Sequence, residues 1–486
     1  DFDVVRGSAA TRVNAEGLIE DISVLSGNII TPIANGDFSS DTGYWIKETG
    51  VTISGGLMNM SSTPNNQGFY KGGIIQVGKS YKIEVTISGY SEGLLDSGNS
   101  NSFSFPQSNG THVVYFTGAN PSLSFAANGT TTLSVDNISV VEIIDATNIP
   151  RIDYTDGAAS ILLESQSTNL IPYSEDFSNG SWSKSQLSVS NSFTSPDGAL
   201  NAKRITESTS NSKHQIFTTT SSYTELTVSF FAKKAERSFI SVEKSSWGST
   251  VFDLNNGSVV SGTGNVIDFG NGWYRCSATY TASTPQSQFY ILLMEDENTV
   301  VYQGDGTSGL YLWGCQAEAL SYPTSYIPTS GAIATRLADS VTGAGDVNTF
   351  NSTEGVLYVE MAALSDDGTN RFISLKNNAT VDIIRMGYIT TSNRIEVQNY
   401  KAGTLFNTFN YEVQDVKTNS KIAFKWKDND FQLYINGLNV KSNTSVTAWG
   451  IGTFQSLQFN QHNGSNKFLG KVKALAVFNE ALTDSE

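Results

Sequence analysis

The chain is short of cysteine, proline, histidine and positive charge. Its 486 residues hold two cysteines, ten prolines and three histidines, and 30 Lys and Arg stand against 46 Asp and Glu. Two cysteines cannot staple a small scaffold. Cys276 and Cys315 fall in two strands of one predicted module, so a bridge between them would stay inside it; buried free thiols are the favoured reading. The net charge is −16 and no basic run exists. Such a surface repels phosphate, which excludes nucleic acid as the partner. The acidity suits solubility or calcium sites built from clustered oxygens. No apolar run approaches the ~20 residues of a helical membrane span, so no membrane insertion is expected. His112, His214 and His462 fall one to a predicted module, too scattered for a zinc site or a histidine-based triad. No Gly-x-Ser-x-Gly elbow or phosphate loop occurs. The acidic neighbours Asp366-Asp367 and Glu295-Asp296-Glu297 read as solvated loops. No catalytic residue is assigned, and the chain is expected not to be an enzyme.

What is abundant points to strands. Gly, Ser and Asn supply turns; Thr, Tyr, Phe and Val fill strands. No long stretch shows the helical period. Tyr81, Ile83, Val85 and Ile87 alternate with polar residues, as do Leu226, Val228 and Phe230, and again Leu357, Val359 and Met361. A segment also recurs: Asn35-Gly36-Asp37-Phe38-Ser39 runs into Tyr44-Trp45, and Ser174-Glu175-Asp176-Phe177-Ser178 into Ser181-Trp182. About a hundred residues of strands follow each copy. The expected fold is all-β, with tandem β-sandwich or jelly-roll modules in three domains. The boundaries are a connector over 1–30, a jelly roll over 31–145, a connector over 146–168, a second jelly roll over 169–330, a linker over 331–351 and a third sandwich over 352–486. In the third, Asp428-Asn429-Asp430 and Asn436-Gly437 suit hairpin turns. Thr483 and Glu486 are spaced as a capping box with no helix after them, and the chain lacks an initiator Met; it reads as a piece of a longer protein, or as one whose ends were lost or disordered.

Several segments resemble those of bacteriophage tail and virion proteins. They are Pro150-Arg151-Ile152-Asp153-Tyr154, Leu162-Leu163-Glu164 through Asn169-Leu170-Ile171, Gly272-Trp273-Tyr274-Arg275-Cys276, Gly304 through Gly309, Leu312-Trp313-Gly314 and Pro323-Thr324-Ser325-Tyr326-Ile327-Pro328. In such proteins a stretch like Ala10 through Glu20 closely precedes the Pro-Arg-Ile-Asp-Tyr element. Here the two are about 130 residues apart, so the first module reads as an insertion into the connector. Both jelly rolls resemble carbohydrate-binding modules. The third domain resembles laminin G-like or concanavalin A-like domains, through Phe431 to Gly437 and Gly470-Lys471-Val472 before Phe478 to Thr483.

The resemblance implies a virion component on the particle surface, tail fibre-like, that binds a host surface polysaccharide or glycan without turnover, beside other virion proteins and as a homo-oligomer, commonly a trimer. The alternatives are a structural virion component such as capsid decoration or a fibre shaft, a polysaccharide-degrading tailspike, and a bacterial secreted adhesin. It also implies a structural Ca²⁺ between the first and last strands of the first jelly roll, at Asn35, Asp37 and Asp136. Sugar binding needs exposed aromatic faces beside amides and carboxylates. The aromatics in polar, loop-like surroundings are Tyr44, Trp45, Trp247 and Trp449. Trp273, Trp313 and Trp426 follow strand patterns and read as packing.

Overall fold

Strands far longer than the usual five or six residues organise both jelly rolls. In a computed structural model, Ser80–Asp96 runs for 17 residues and Leu123–Asp145 for 23. The structure describes all residues except 1, 23, 26–28, 30–35, 99, 106, 146, 245–247, 380 and 484–486. Among those described there is no helix. A strand this long serves both layers of a sandwich only by bending. The pairing of Leu123–Asp145 with Ser80–Asp96 shifts register between Asn128 and Thr132, Thr132 and Ser134, and Asp136 and Ser139. Gly93 allows one bend, with φ at 83° and a Cβ that would sit 2.2 Å from Thr131 Oγ1. The second jelly roll repeats the device with His214–Lys234 and Trp273–Met294, whose register shifts between Thr219 and Glu225.

The chain divides into two compact units, one of residues 23–146 with 193–201, the other holding 1–22, 147–192 and 202–486. Among the described residues three hydrophobic cores lie within them. The core of the first unit contains Tyr81, Ile83, Val85 and Ile87, the alternating residues of one strand. A second core gathers around Leu226, Val228 and Phe230. The third fills a sandwich of a seven-stranded and a five-stranded sheet around Leu357, Val359, Met361 and Trp426. Cys276 and Cys315 are buried free thiols in the second core. Trp273, Trp313 and Trp426 are 4 %, 1 % and 0 % exposed, and pack. Asn429, Asn436 and Gly437 hold φ of 59°, 51° and 83°, the left-handed values that tight hairpins require.

The segments read as connectors are strands. Thr11–Val13 pairs with Ile19–Asp21, Val4–Val5 with Ser340–Val341, and Ser167–Asn169 with Ala334–Arg336. Ser160–Leu163 joins the seven-stranded sheet against Gly470–Phe478. Where these strands meet, three arginines and two carboxylates are buried together. Arg6 donates to Asp339 at 3.0 Å, and Arg151 donates to Glu164 at 2.5 Å and to Asp339. Arg336 lies 3.4 Å from Glu164 and donates to Ser165 O at 2.7 Å. Ser325 closes the knot, its N–H donating to Glu164 Oε1 at 2.8 Å. Burial alone would push the Glu164 carboxyl up; Arg151 and Arg336 overcome it and hold the group well below the ordinary carboxylate range. The neighbouring Glu318 has no arginine within ion-pair distance among the described residues; burial leaves its carboxyl raised despite bonds from Ser167 and Thr324 and the more distant charge of Arg275. The resemblance-carrying Arg151, Glu164 and Ser325 are thus framework residues.

Candidate functional site

The recurring segment is a folding signature. Asp37 Oδ1 accepts the Ser39 N–H at 3.2 Å, and Asp176 Oδ1 accepts the Ser178 N–H at 3.1 Å. Each Asp thereby closes a turn that drives the next Phe inward. Phe38 and Phe177 are both 0 % exposed and meet Trp45 and Trp182, each at a 49° tilt. Trp45 packs edge-on to Phe69 at 5.4 Å and Phe125 at 6.0 Å. It is a core residue, which corrects the expectation of an exposed stacking face. Half-buried Tyr44 rests edge-on against Trp45, and Lys71 Nζ sits 4.6 Å over its ring. Desolvation pushes the Tyr44 hydroxyl up. One face of that ring is therefore occupied by a cation.

Trp449 is likewise corrected. It is 2 % exposed, lies parallel to Phe431 and donates Nε1–H to Tyr400 O at 2.9 Å. Trp247 and Asn35 lie outside the described residues. Gly36 O accepts the Ile138 N–H at 2.9 Å, which brings the Asp37 turn alongside the Asp136 strand. Asp136 is engaged with Asn137, accepting its N–H at 2.7 Å and its side-chain amide at 3.0 Å. Among the described residues no three His, Cys, Asp or Glu side chains converge as a metal site.

A polar cleft of about 340 Å³ opens on the first jelly roll instead. Its floor is set by alternation. Leu123, Phe125 and Ala127 enter the core, so Ser122, Ser124 and Ala126 face outward. Tyr70 pairs directly with Ser124 and turns outward because its neighbour Phe69 is core. Glu48 comes from the segment after Ile46–Lys47, and its Oε2 accepts the Gly68 N–H at 2.8 Å. A Cβ on Gly68 would lie 1.9 Å from Phe125 O, so only glycine lets these strands close. Gly98, with φ at 58°, leaves the space over Ala126 open.

The rim is fixed by buried bonds. Asn101, 3 % exposed, donates to Ser122 O at 2.8 Å and accepts the Ala119 and Asn120 N–H groups at 2.9 and 3.1 Å. Asn66 is held by its backbone on Ala127 O at 2.7 Å. Among the described residues the side chains of Asn66, Tyr70, Ser122 and Ser124 have no protein hydrogen-bond partner, and Glu48 Oε1 is equally uncommitted. The cleft thus offers one aromatic ring, one carboxylate, amides and hydroxyls, all able to bond a ligand rich in hydroxyl groups. None of these residues was singled out from sequence. The signal that could have found them is the outward half of the Leu123, Phe125, Ala127 alternation.

No curated protein matches the chain. Among solved structures it is similar to the Ruminococcus gnavus IT-sialidase CBM40, at 12 % identity and TM-score 0.26, covering 30 % of this chain and 89 % of that one. It is similar to the CBM22-1-CBM22-2 tandem domain of Paenibacillus barcinonensis Xyn10C, at 11 % and 0.23, covering 65 % and 100 %. For domains LG4-5 of the mouse laminin alpha1 chain the values are 11 % and 0.21, covering 56 % and 88 %. Likenesses this loose carry no argument about ligands. By sequence, residues 348–486 match the family described as the Concanavalin A-like lectin/glucanases superfamily.

Proposed function

We propose that this protein attaches to surface glycans through the first-module cleft, without turnover, as part of a bacteriophage particle. The observation that carries the reading is the ring of uncommitted hydrogen-bonding heads around Tyr70. A pyranose presents hydroxyls to such heads and an apolar face to a tyrosine. Glycoside hydrolysis uses two carboxyl groups about 5–9 Å apart; the cleft is lined by one, Glu48. The particle assignment rests on the resemblance of residues 150–330 to virion proteins. Repetition of a weak site on one particle would raise the overall affinity.

A glycan and host-cell binding screen tests this, with released sugar scored in the same samples. Wild type is expected to bind without release, and Tyr70→Ala and Glu48→Gln to weaken binding at least tenfold. Binding that both variants keep removes the cleft from the reading, and released oligosaccharide removes the non-enzymatic one. A chelator arm asks whether calcium at Asp37 and Asp136 supports the module. A structural virion component is the second reading, favoured because the virion-like segments supply the buried Arg151, Glu164 and Ser325 knot. Absence of binding to any host polymer would select it.

A further inference from the structure

The outer face of the five-stranded sheet carries two buried cations that make no ion pair among the described residues. Along Arg371–Lys376, Ile373 and Leu375 enter the core, so Phe372, Ser374 and Lys376 take the opposite face. The adjacent strand Ile383–Tyr388 places Arg385 opposite Ser374, and Arg394–Lys401 places Gln398 opposite Arg385. The Arg385 guanidinium lies 4.8 Å from the Phe372 ring centre and 5.1 Å from that of Tyr400. Its Nη2 donates to Gln398 Oε1, which also accepts the Tyr400 hydroxyl at 2.8 Å. The loop over 460–467 returns to this sheet, where Phe372 N–H donates to Asn466 O at 3.1 Å. It brings His462 within electrostatic reach of both cations.

Lys376 is 8 % exposed and Arg385 9 %. Among the described residues neither has a carboxylate within ion-pair distance. Arg385 feels Glu396, which also answers to Arg394. Ser374 Oγ and Arg385 Nε are buried with no hydrogen-bond partner. Arg6, Arg151 and Arg336 are paired closely in the knot around Asp339 and Arg371 with Asp367, while buried Arg275 is held by Ser229 and the Thr324 carbonyl. An unpaired buried cation is costly unless an anion meets it, and here 46 acidic residues were on hand to supply one. We propose that Lys376, Arg385 and Ser374 form an anion site on the concanavalin A-like sandwich that takes one carboxylate or sulfate group of an acidic sugar. Lys376 supplies a point charge, Arg385 a flat fork held between two rings, and Ser374 a hydroxyl. This site is separate from the Tyr70 cleft and does not depend on that cleft binding sugar.

The whole chain has three histidines, so its imidazole proton spectrum is simple, and His462 reports the site. The probes are sodium sulfate against sodium chloride at matched ionic strength, and glucuronate against glucose. Sulfate and glucuronate are expected to shift the His462 signal saturably, while chloride and glucose leave it in place. Lys376→Gln should weaken both at least tenfold. Arg385→Lys should weaken them less than Arg385→Gln, and Ser374→Ala by several-fold. The small Ser374→Ala change keeps the test open if a charge variant fails to fold. A His462 signal indifferent to both anions, or wild-type affinity in both Ser374→Ala and Lys376→Gln, overturns the site. Sulfate binding without glucuronate binding overturns the sugar-acid assignment in favour of an inorganic ion.

Discussion

Trp449 shows what a single residue does here. Its ring lies in a stack with Phe431 and against Phe454, and its indole N–H reaches Tyr400 O across the sandwich. Trp449→Ala should therefore cost the third domain about 3–5 kcal/mol. Trp449→Phe should cost about 1 kcal/mol for the lost hydrogen bond, with some repacking besides. Denaturant midpoints of the third domain check both, and sugar binding at the first-module cleft is expected to stay unchanged. Polar neighbours made Trp449 and Trp45 read as exposed, because their burial comes from partners distant in sequence: Tyr400 for one, Phe69 and Phe125 for the other. Tyr70 was missed for the converse reason. Beside Phe69 it reads as another strand aromatic, and only the cross-strand pairing with Ser124 shows which way it faces.

At the scale of the element, alternation and turn chemistry carry through from sequence. Tyr81 through Ile87 alternate as a half-buried strand should, and Asn436-Gly437 makes its hairpin. The connectors were illegible because their strands are two to four residues long and pair with partners distant in sequence, as Val4–Val5 with Ser340–Val341 and Ser160–Leu163 with Gly470–Phe478. Glu164 is the test of that arrangement. Its carboxyl is held below its unfolded value by Arg151 and Arg336. Its contribution is thus fully present above about pH 4.3, the unfolded range for Glu, and is lost as pH falls toward the depressed folded value. Glu164→Gln leaves two buried arginines short of a partner and should cost about 3–5 kcal/mol at neutral pH. Thermal melts from pH 7 down to pH 3 should show a shallower acid decline in the variant than in wild type. Equal slopes would mean that the knot is not what acid breaks.

At the largest scale, the strand order ties the arm ahead of the first jelly roll to a much later part of the sequence. Val4–Val5 pairs with Ser340–Val341, and Arg6 meets Asp339 over a separation of 333 residues. The buried core of the first jelly roll, by contrast, draws its described residues from Phe38 to Val140, with Ile29 packed against it. Synthesis runs from the N-terminus at roughly 5–20 residues per second. The first jelly roll can therefore close on the ribosome while the arm ahead of it still waits, for tens of seconds by that rate, for the residues that will cover Arg6. Protease applied to nascent chains stalled between about positions 250 and 300, a span chosen to end before Asp339 emerges, should spare the first module and cut the arm. Protection of the arm at those lengths would show that it docks on something else. The arm is made before the first jelly roll and settles after it, so a chain truncated anywhere before Asp339 carries its own mark of incompleteness in the uncovered Arg6.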